Sequence, residues 1–100
     1  MAIVWMLEWD GVTPEQYEAM REKVDWEGDV PDGLQLHVAA FNEKGLLVTE
    51  VWESPDHVQP FIDGRLLPAV EALGIQTMPR VDLYPLHRIF TPARKEFPSP

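Results

Sequence analysis

His37 is the side chain of this sequence best suited to moving a proton near neutral pH. It stands between Leu36 and Val38-Ala39 in a strand-like run. Such a histidine is expected to be at least partly buried, where a neutral imidazole can act as a general base. The plainer reading is a hydrogen-bonded core or interface residue. Further on, Leu46, Val48, Glu50 and Trp52 alternate along one face of a second strand-like run. A tryptophan beside a carboxylate can wall a pocket for a flat ligand, with Glu50 as a base. The alternative makes Trp52 core and Glu50 a paired or solvent-end charge. Phe61 and Arg65 lie on the helix that follows: Phe61 could shape the pocket, and Arg65 could steady an anionic group at its mouth. An exposed charged face explains Arg65 as well. The candidate catalytic residues are therefore His37 and Glu50, and the candidate ligand-binding residues are Trp52, Phe61 and Arg65.

Other chemistries find no support. Cysteine is absent, which excludes thiolate nucleophiles, disulfides and Cys-ligated metal, and suits a reducing cytosol. The two serines are Ser54, a helix cap, and Ser99, near the end of the chain, so a serine triad is not expected. The six glycines form no phosphate-binding loop. A metal shared by His37 and His87 is rejected. Their strands are expected at opposite sheet edges, about 14 Å apart, and no metal-ligand spacing joins them. His57, in the first turn of the second helix, is expected to face water, where its charge would oppose the helix dipole.

The elements that must position these residues can be read from periodicity. Ala2 to Trp9 is apolar on both faces, as in a strand covered from two sides. Thr13-Pro14-Glu15-Gln16 combines an N-cap, a proline at the first helical position and a capping-box glutamine. Tyr17, Met20 and Val24 then share one helical face. Gly28 to Gly33 is a loop, Leu34 to Phe41 a second strand, Asn42 to Gly45 a hairpin turn and Leu46 to Glu53 a third strand. Ser54 and Pro55 open a second helix, whose apolar stripe runs from Val58 to Leu73. Asp63-Gly64 and Pro68 should bend or split it, and Gly74 ends it. Arg80 to Ile89 reads as a fourth strand, placed on an edge by Pro85. Residues 1–90 thus form one domain, and residues 91–100, with three prolines, an extended tail.

The order βαββαβ predicts an α+β, ferredoxin-like fold with two helices on one side of a four-stranded antiparallel sheet. Helices cover one face only, yet Val4 and Met6 make the other face of the first strand apolar too. The simplest cover is the same face of a second copy. A homodimer would also help a 100-residue chain, which alone buries only roughly 60–70% of its unfolded surface. The formal charge of −9 disfavours nucleic acid and anionic membrane surfaces. No apolar run approaches the ~18 residues a membrane helix needs. The acidic N-terminal stretch does not read as a signal peptide, so the expected location is cytoplasmic.

The segment Leu47-Val48-Thr49-Glu50-Val51-Trp52-Glu53-Ser54, running into Val58 and Phe61, resembles the strand-to-helix passage of the dimeric α/β-barrel superfamily. That superfamily includes antibiotic-biosynthesis-type monooxygenases, heme-degrading monooxygenases and some polyketide cyclases. The resemblance spans Ala2 to about Ile89 and implies the fold, the dimer and a pocket between sheet and helices. It carries neither the heme-degrading residues nor the cyclase pair over to this chain. Phe61-Ile62-Asp63-Gly64-Arg65 holds no histidine where the heme ligand sits, and Met6, Leu7 and Glu8 stand where those enzymes have asparagine. The cyclases' helix histidine and tyrosine have no counterpart after His57.

The leading expectation is a cytoplasmic homodimer that binds a small hydrophobic or aromatic metabolite. It would need no cofactor and could act as a monooxygenase or isomerase. The rival is a non-catalytic dimerisation or protein-interaction module. Heme binding is a third reading, and a Soret band on titration would reveal it.

Overall fold

The computed structural model describes residues 1–92. The expected tail at 91–100 therefore lies mostly outside the described residues. The chain runs β1 (Ile3–Asp10), α1 (Pro14–Val24), β2 (Leu34–Phe41), β3 (Gly45–Trp52), a helical stretch over residues 55–72, and β4 (Arg80–Pro85). The strands form one antiparallel sheet in the order β2-β3-β1-β4. This is the ferredoxin-like α+β arrangement expected from the sequence.

Strand β1 sits at the centre, and its alternation decides the layers. Ile3, Trp5, Leu7 and Trp9 are buried beneath the helices, while Met6 points the other way and is 45% exposed. The partner row on β3 is Leu46, Val48, Glu50 and Trp52, all buried. Residues two apart on a strand share a face, so one register sets both rows. Met20 and Val24 of α1, Val58 and Phe61 of the second helical stretch, and Ala69 and Val70 complete the core.

Local signals in the sequence account for the helix ends. Thr13 Oγ1 accepts from the Gln16 amide at 3.2 Å, and the Gln16 side chain accepts from the Thr13 amide at 3.0 Å, closing the capping box. The α1 helix ends at Asp25, a left-handed residue with φ 57° whose amide donates to the Arg21 carbonyl.

The α-helix of the second helical stretch is interrupted over Asp63-Gly64, just ahead of Pro68, and resumes without a break in the helical backbone. The stretch runs as a 3-10 turn (Pro55–His57), α2 (Val58–Phe61), a π turn (Ile62–Leu66) and α3 (Leu67–Ala72). Pro68 lacks an N–H and its ring crowds the carbonyl four residues back. The wide turn relieves this, and the Leu67 amide reaches back to Ile62 O. Strand β4 is shorter than the expected Arg80 to Ile89. Its register ends at Ile3↔Pro85, where β1 begins, and one further bond joins Leu86 N to Ala2 O at 2.9 Å. Beyond that there is no strand left to pair with.

His57 is half-buried, not free in water. Its ring lies over Gly33, whose φ of 86° and lack of a side chain both suit the contact. By strand alternation and register, the face of the sheet away from the helices carries Val4, Met6, Leu36, Val38, Leu47, Thr49, Val51 and Tyr84, with Asp82 and the Glu8–Arg80 ion pair on its β1–β4 side. Met6, Val38 and Tyr84 are 45%, 49% and 52% exposed.

Candidate active site

Antiparallel pairing sets His37 opposite Glu50, and alternation along β3 sets Glu50 beside Trp52 on the same inner face. The three side chains join into one hydrogen-bonded chain. Trp52 Nε1 donates to Glu50 Oε1 at 3.0 Å. The other carboxylate oxygen, Oε2, lies 2.5 Å from His37 Nδ1. His37 Nε2 lies 2.8 Å from the hydroxyl of Tyr17, which α1 delivers from the opposite layer. An ionised Glu50 can only accept, so Nδ1 carries a hydrogen and Nε2 accepts from the Tyr17 hydroxyl. This is the logic of a catalytic triad with tyrosine at the outer end: a carboxylate orients an imidazole, whose far nitrogen can take a hydroxyl proton.

Burial increases along the chain. Trp52 is 0% exposed and Glu50 4%, whereas the His37 side chain retains 15%. Burial is the main force pushing Tyr17 up to about 12, with the nearby Glu18 and Glu27 carboxylates adding to it. Its phenol therefore holds its proton at neutral pH.

Trp26 closes this end. Its ring lies 4.8 Å from the His37 ring and 5.8 Å from that of Tyr17. Arg21 holds the turn bearing it by a two-point bond to Glu27, at 2.9 and 2.8 Å, and that contact lowers the Glu27 carboxyl below its usual range. Trp26 is buried, and its Nε1 has no hydrogen-bond partner among the described residues.

Two hollows lie between the layers. A cavity of about 30 Å³ is bounded by Tyr17, Trp26, His37, Glu50 and Phe61, over a floor that includes Trp5 and Leu7. An apolar groove of about 370 Å³ lies along β1 toward β4, walled by Trp5, Trp9, Leu66, Val70, Met78 and Val81 among others. Trp5, Leu7 and Trp9 line both. Trp9 also fixes the far rim, donating from Nε1 to Thr77 O and Oγ1 at 3.1 and 3.0 Å.

The sequence candidates are thus distributed unevenly. His37, Glu50 and Phe61 meet at the small cavity. Trp52 does not wall it: fully buried, it packs on Phe61 at 5.4 Å and holds Glu50 from behind. Arg65 is not at the mouth of this cavity. Its guanidinium donates to Val24 O at 2.7 Å and Asp25 O at 3.3 Å, meeting the carbonyl end of α1. The surface hollow it does line also carries Asp29, Asp32 and Asp56, which would repel an anion. Tyr17 and Trp26 are the residues that sequence reasoning missed. Tyr17 was legible only as core, although a tyrosine on an inward helix face needs a partner for its hydroxyl, and His37 was available. Among the described residues no three His, Asp or Glu side chains converge as a metal site, and no helix is long and apolar enough to cross a membrane.

No protein-family model matches the chain. No curated protein matches it either. Solved structures do. SnoaB, a cofactor-independent oxygenase from Streptomyces nogalater, aligns at TM-score 0.62 and 14% identity, over 88% of this chain and 93% of that one. A protein of unknown function from Nitrosomonas europaea aligns at 0.65 and 15%, over 92% and 95%. A candidate antibiotic biosynthesis monooxygenase from Deinococcus radiodurans aligns at 0.61 and 16%, over 91% and 97%. This chain has the ferredoxin-like fold of the antibiotic-biosynthesis-monooxygenase-like proteins.

Proposed function

We propose that this protein is a cytoplasmic homodimer that performs proton-transfer chemistry on a small hydrophobic or aromatic metabolite, as a cofactor-independent monooxygenase or an isomerase. One observation carries the reading. The Tyr17–His37–Glu50–Trp52 chain is a continuous polar path through an otherwise apolar interlayer, and it ends at a cavity. Buried polar groups cost stability unless paired, and a purely structural core would not need an imidazole there.

In this reading the substrate gives a proton to Tyr17 Oη as the Tyr17 proton passes to His37 Nε2. Glu50 stabilises the imidazolium that forms, and Trp52 fixes Glu50. The deprotonated substrate is an electron-rich enolate. Returned at another carbon, the proton gives an isomer. With dioxygen as the oxidant, a CH₂ group becomes C=O and the second oxygen atom leaves as water, so the substrate supplies its own electrons. The groove of about 370 Å³ is within the size range of small-molecule sites and offers the apolar body of such a metabolite a place. The structural likeness to a cofactor-independent oxygenase supports oxygenation over isomerisation.

The exposed apolar face of the sheet supports the dimer, because an apolar patch of this kind marks an interaction surface. It also supports the rival reading of a non-catalytic interaction module. Oxygen uptake measured with a panel of hydroxylated polycyclic aromatics separates the two. Turnover that disappears in His37→Asn supports the enzyme. Turnover unchanged in that variant overturns it, as does no uptake and no isomer with any member of the panel.

A further inference from the structure

The indole N–H of Trp26 is a donor with nothing to donate to. The residue is 7% exposed, and Nε1, itself fully buried, meets no acceptor among the described residues. A buried donor left unpaired costs about 1–3 kcal/mol, so such groups call for a partner. Two other indoles fare differently: Trp9 donates to Thr77 and Trp52 to Glu50; the Trp5 N–H is not among the fully buried unpartnered atoms. Trp26 is also the one pinned beside the proton path, its ring tilted against that of His37 and tied down by the Arg21–Glu27 clamp.

Trp26 lines the same cavity as Tyr17, His37 and Glu50. The polar atoms there are already engaged with one another: Glu50 with Trp52 and His37, and His37 with Glu50 and Tyr17. What remains is one donor, the Trp26 N–H, and one acceptor, the spare lone pairs of Tyr17 Oη. A carboxylate or carbonyl would satisfy the donor only. A group that both accepts and donates would satisfy both, and a hydroxyl is the smallest that can be carried on an apolar body. The cavity's about 30 Å³ holds about one or two such small groups, and its remaining walls are Leu7, Met20, Leu46, Val48 and aromatic rings. A water molecule could sit there as well. It would have two partners where a buried water has about three, so a hydroxyl on an aromatic ring displaces it at low cost.

We propose that Trp26 is a substrate-binding residue whose indole N–H, together with the Tyr17 hydroxyl, receives the hydroxyl group of a phenolic or enolic substrate. The inference rests on the proton-transfer reading above and names its substrate class. The Trp26 N–H donates to the hydroxyl oxygen, and the same donor stabilises the oxyanion once the proton has passed to Tyr17. It thereby orients the substrate for the His37 relay and selects against analogues lacking the oxygen.

The test uses phenol and toluene, matched in shape and differing in the hydroxyl, titrated into the full-length protein and followed by amide-and-indole proton–nitrogen NMR. The four indole signals are assigned with single Trp→Phe variants. Phenol is expected to move the Trp26 indole signal strongly, and toluene weakly or not at all. Trp26→Phe keeps a ring over His37 and removes the donor; it should weaken phenol binding about five- to tenfold, the effect of one hydrogen bond, and leave toluene binding unchanged. Equal loss for both ligands overturns the proposal, because it means packing alone. A Trp26 signal that stays still while the His37 ring signals respond also overturns it, yet leaves the proton-transfer reading standing. If neither residue responds to phenol, that reading falls as well.

Discussion

Replacing Glu50 separates the structural and chemical roles of the buried chain. In Glu50→Ala two buried donors, Trp52 Nε1 and His37 Nδ1, lose their acceptor. Each orphaned donor costs about 1–3 kcal/mol, so the variant should lose about 2–6 kcal/mol, a large part of the 5–15 kcal/mol typical of a domain. Glu50→Gln has almost the same shape. Its carbonyl can still accept from Trp52, and its amide can donate to Nδ1 if His37 adopts the other tautomer. Hydrogen bonds are then neutral, not charge-assisted, and the loss should be about 1–2 kcal/mol. The tautomer switch puts the hydrogen on Nε2, which can no longer take the Tyr17 proton. Glu50→Gln should therefore fold well and fail as a catalyst. Urea unfolding at fixed protein concentration gives the stabilities, and ring-nitrogen NMR of His37 gives the tautomer. Equal stability of the wild type and Glu50→Ala would refute the buried-chain reasoning. So would a Glu50→Gln protein that keeps both the tautomer and full turnover.

Three further outcomes follow from the same geometry. Tyr17, pushed up to about 12 mainly by burial, should ionise well above the ordinary tyrosine range. Its folded value lies above its unfolded one, so its contribution to stability is complete below about pH 10 and is lost as pH rises through about 12. The tyrosinate absorbance missing from Tyr17→Phe should appear only near that upper value; a step at the ordinary tyrosine value contradicts the burial. Met6→Lys, at a site 45% exposed on the open sheet face and opposite Asp82, should leave the single chain's stability within about 0.5 kcal/mol but abolish dimerisation, as read by light scattering. Gly33→Ala meets both a left-handed φ of 86° and the His57 ring; it should cost at least about 1 kcal/mol, visible as a lowered melting temperature.

Much of the fold was legible because its signals are local. The Thr13–Gln16 capping box, the Ser54-Pro55 start and the alternation of β1 each depend on a few adjacent residues. The pairing of His37 with Glu50 also follows from register, once the hairpin at Asn42 to Gly45 joins β2 to β3. Other features depend on distant contacts that no local pattern carries. Tyr17 reaches His37 across the layers, and its apolar neighbours Met20 and Val24 make it look like ordinary core. Trp26 follows a helix end at a left-handed aspartate, a conformation the residue type alone does not announce. Arg65 looked like a free cation because its acceptors, Val24 O and Asp25 O, are backbone carbonyls some forty positions earlier. The π turn at Ile62–Leu66 reflects how a packed helix absorbs Pro68 when breaking would expose its apolar stripe.

The most direct test of the central claim, a dimer with a small-molecule site on the Tyr17–His37–Glu50 chain, is the native mass of the purified protein under gentle ionisation. The account predicts a species of twice the 11.5 kDa chain mass carrying extra small-molecule mass, with that extra mass reduced in Trp26→Phe. A bare single chain, with nothing bound even in excess hydroxylated aromatic, would contradict it.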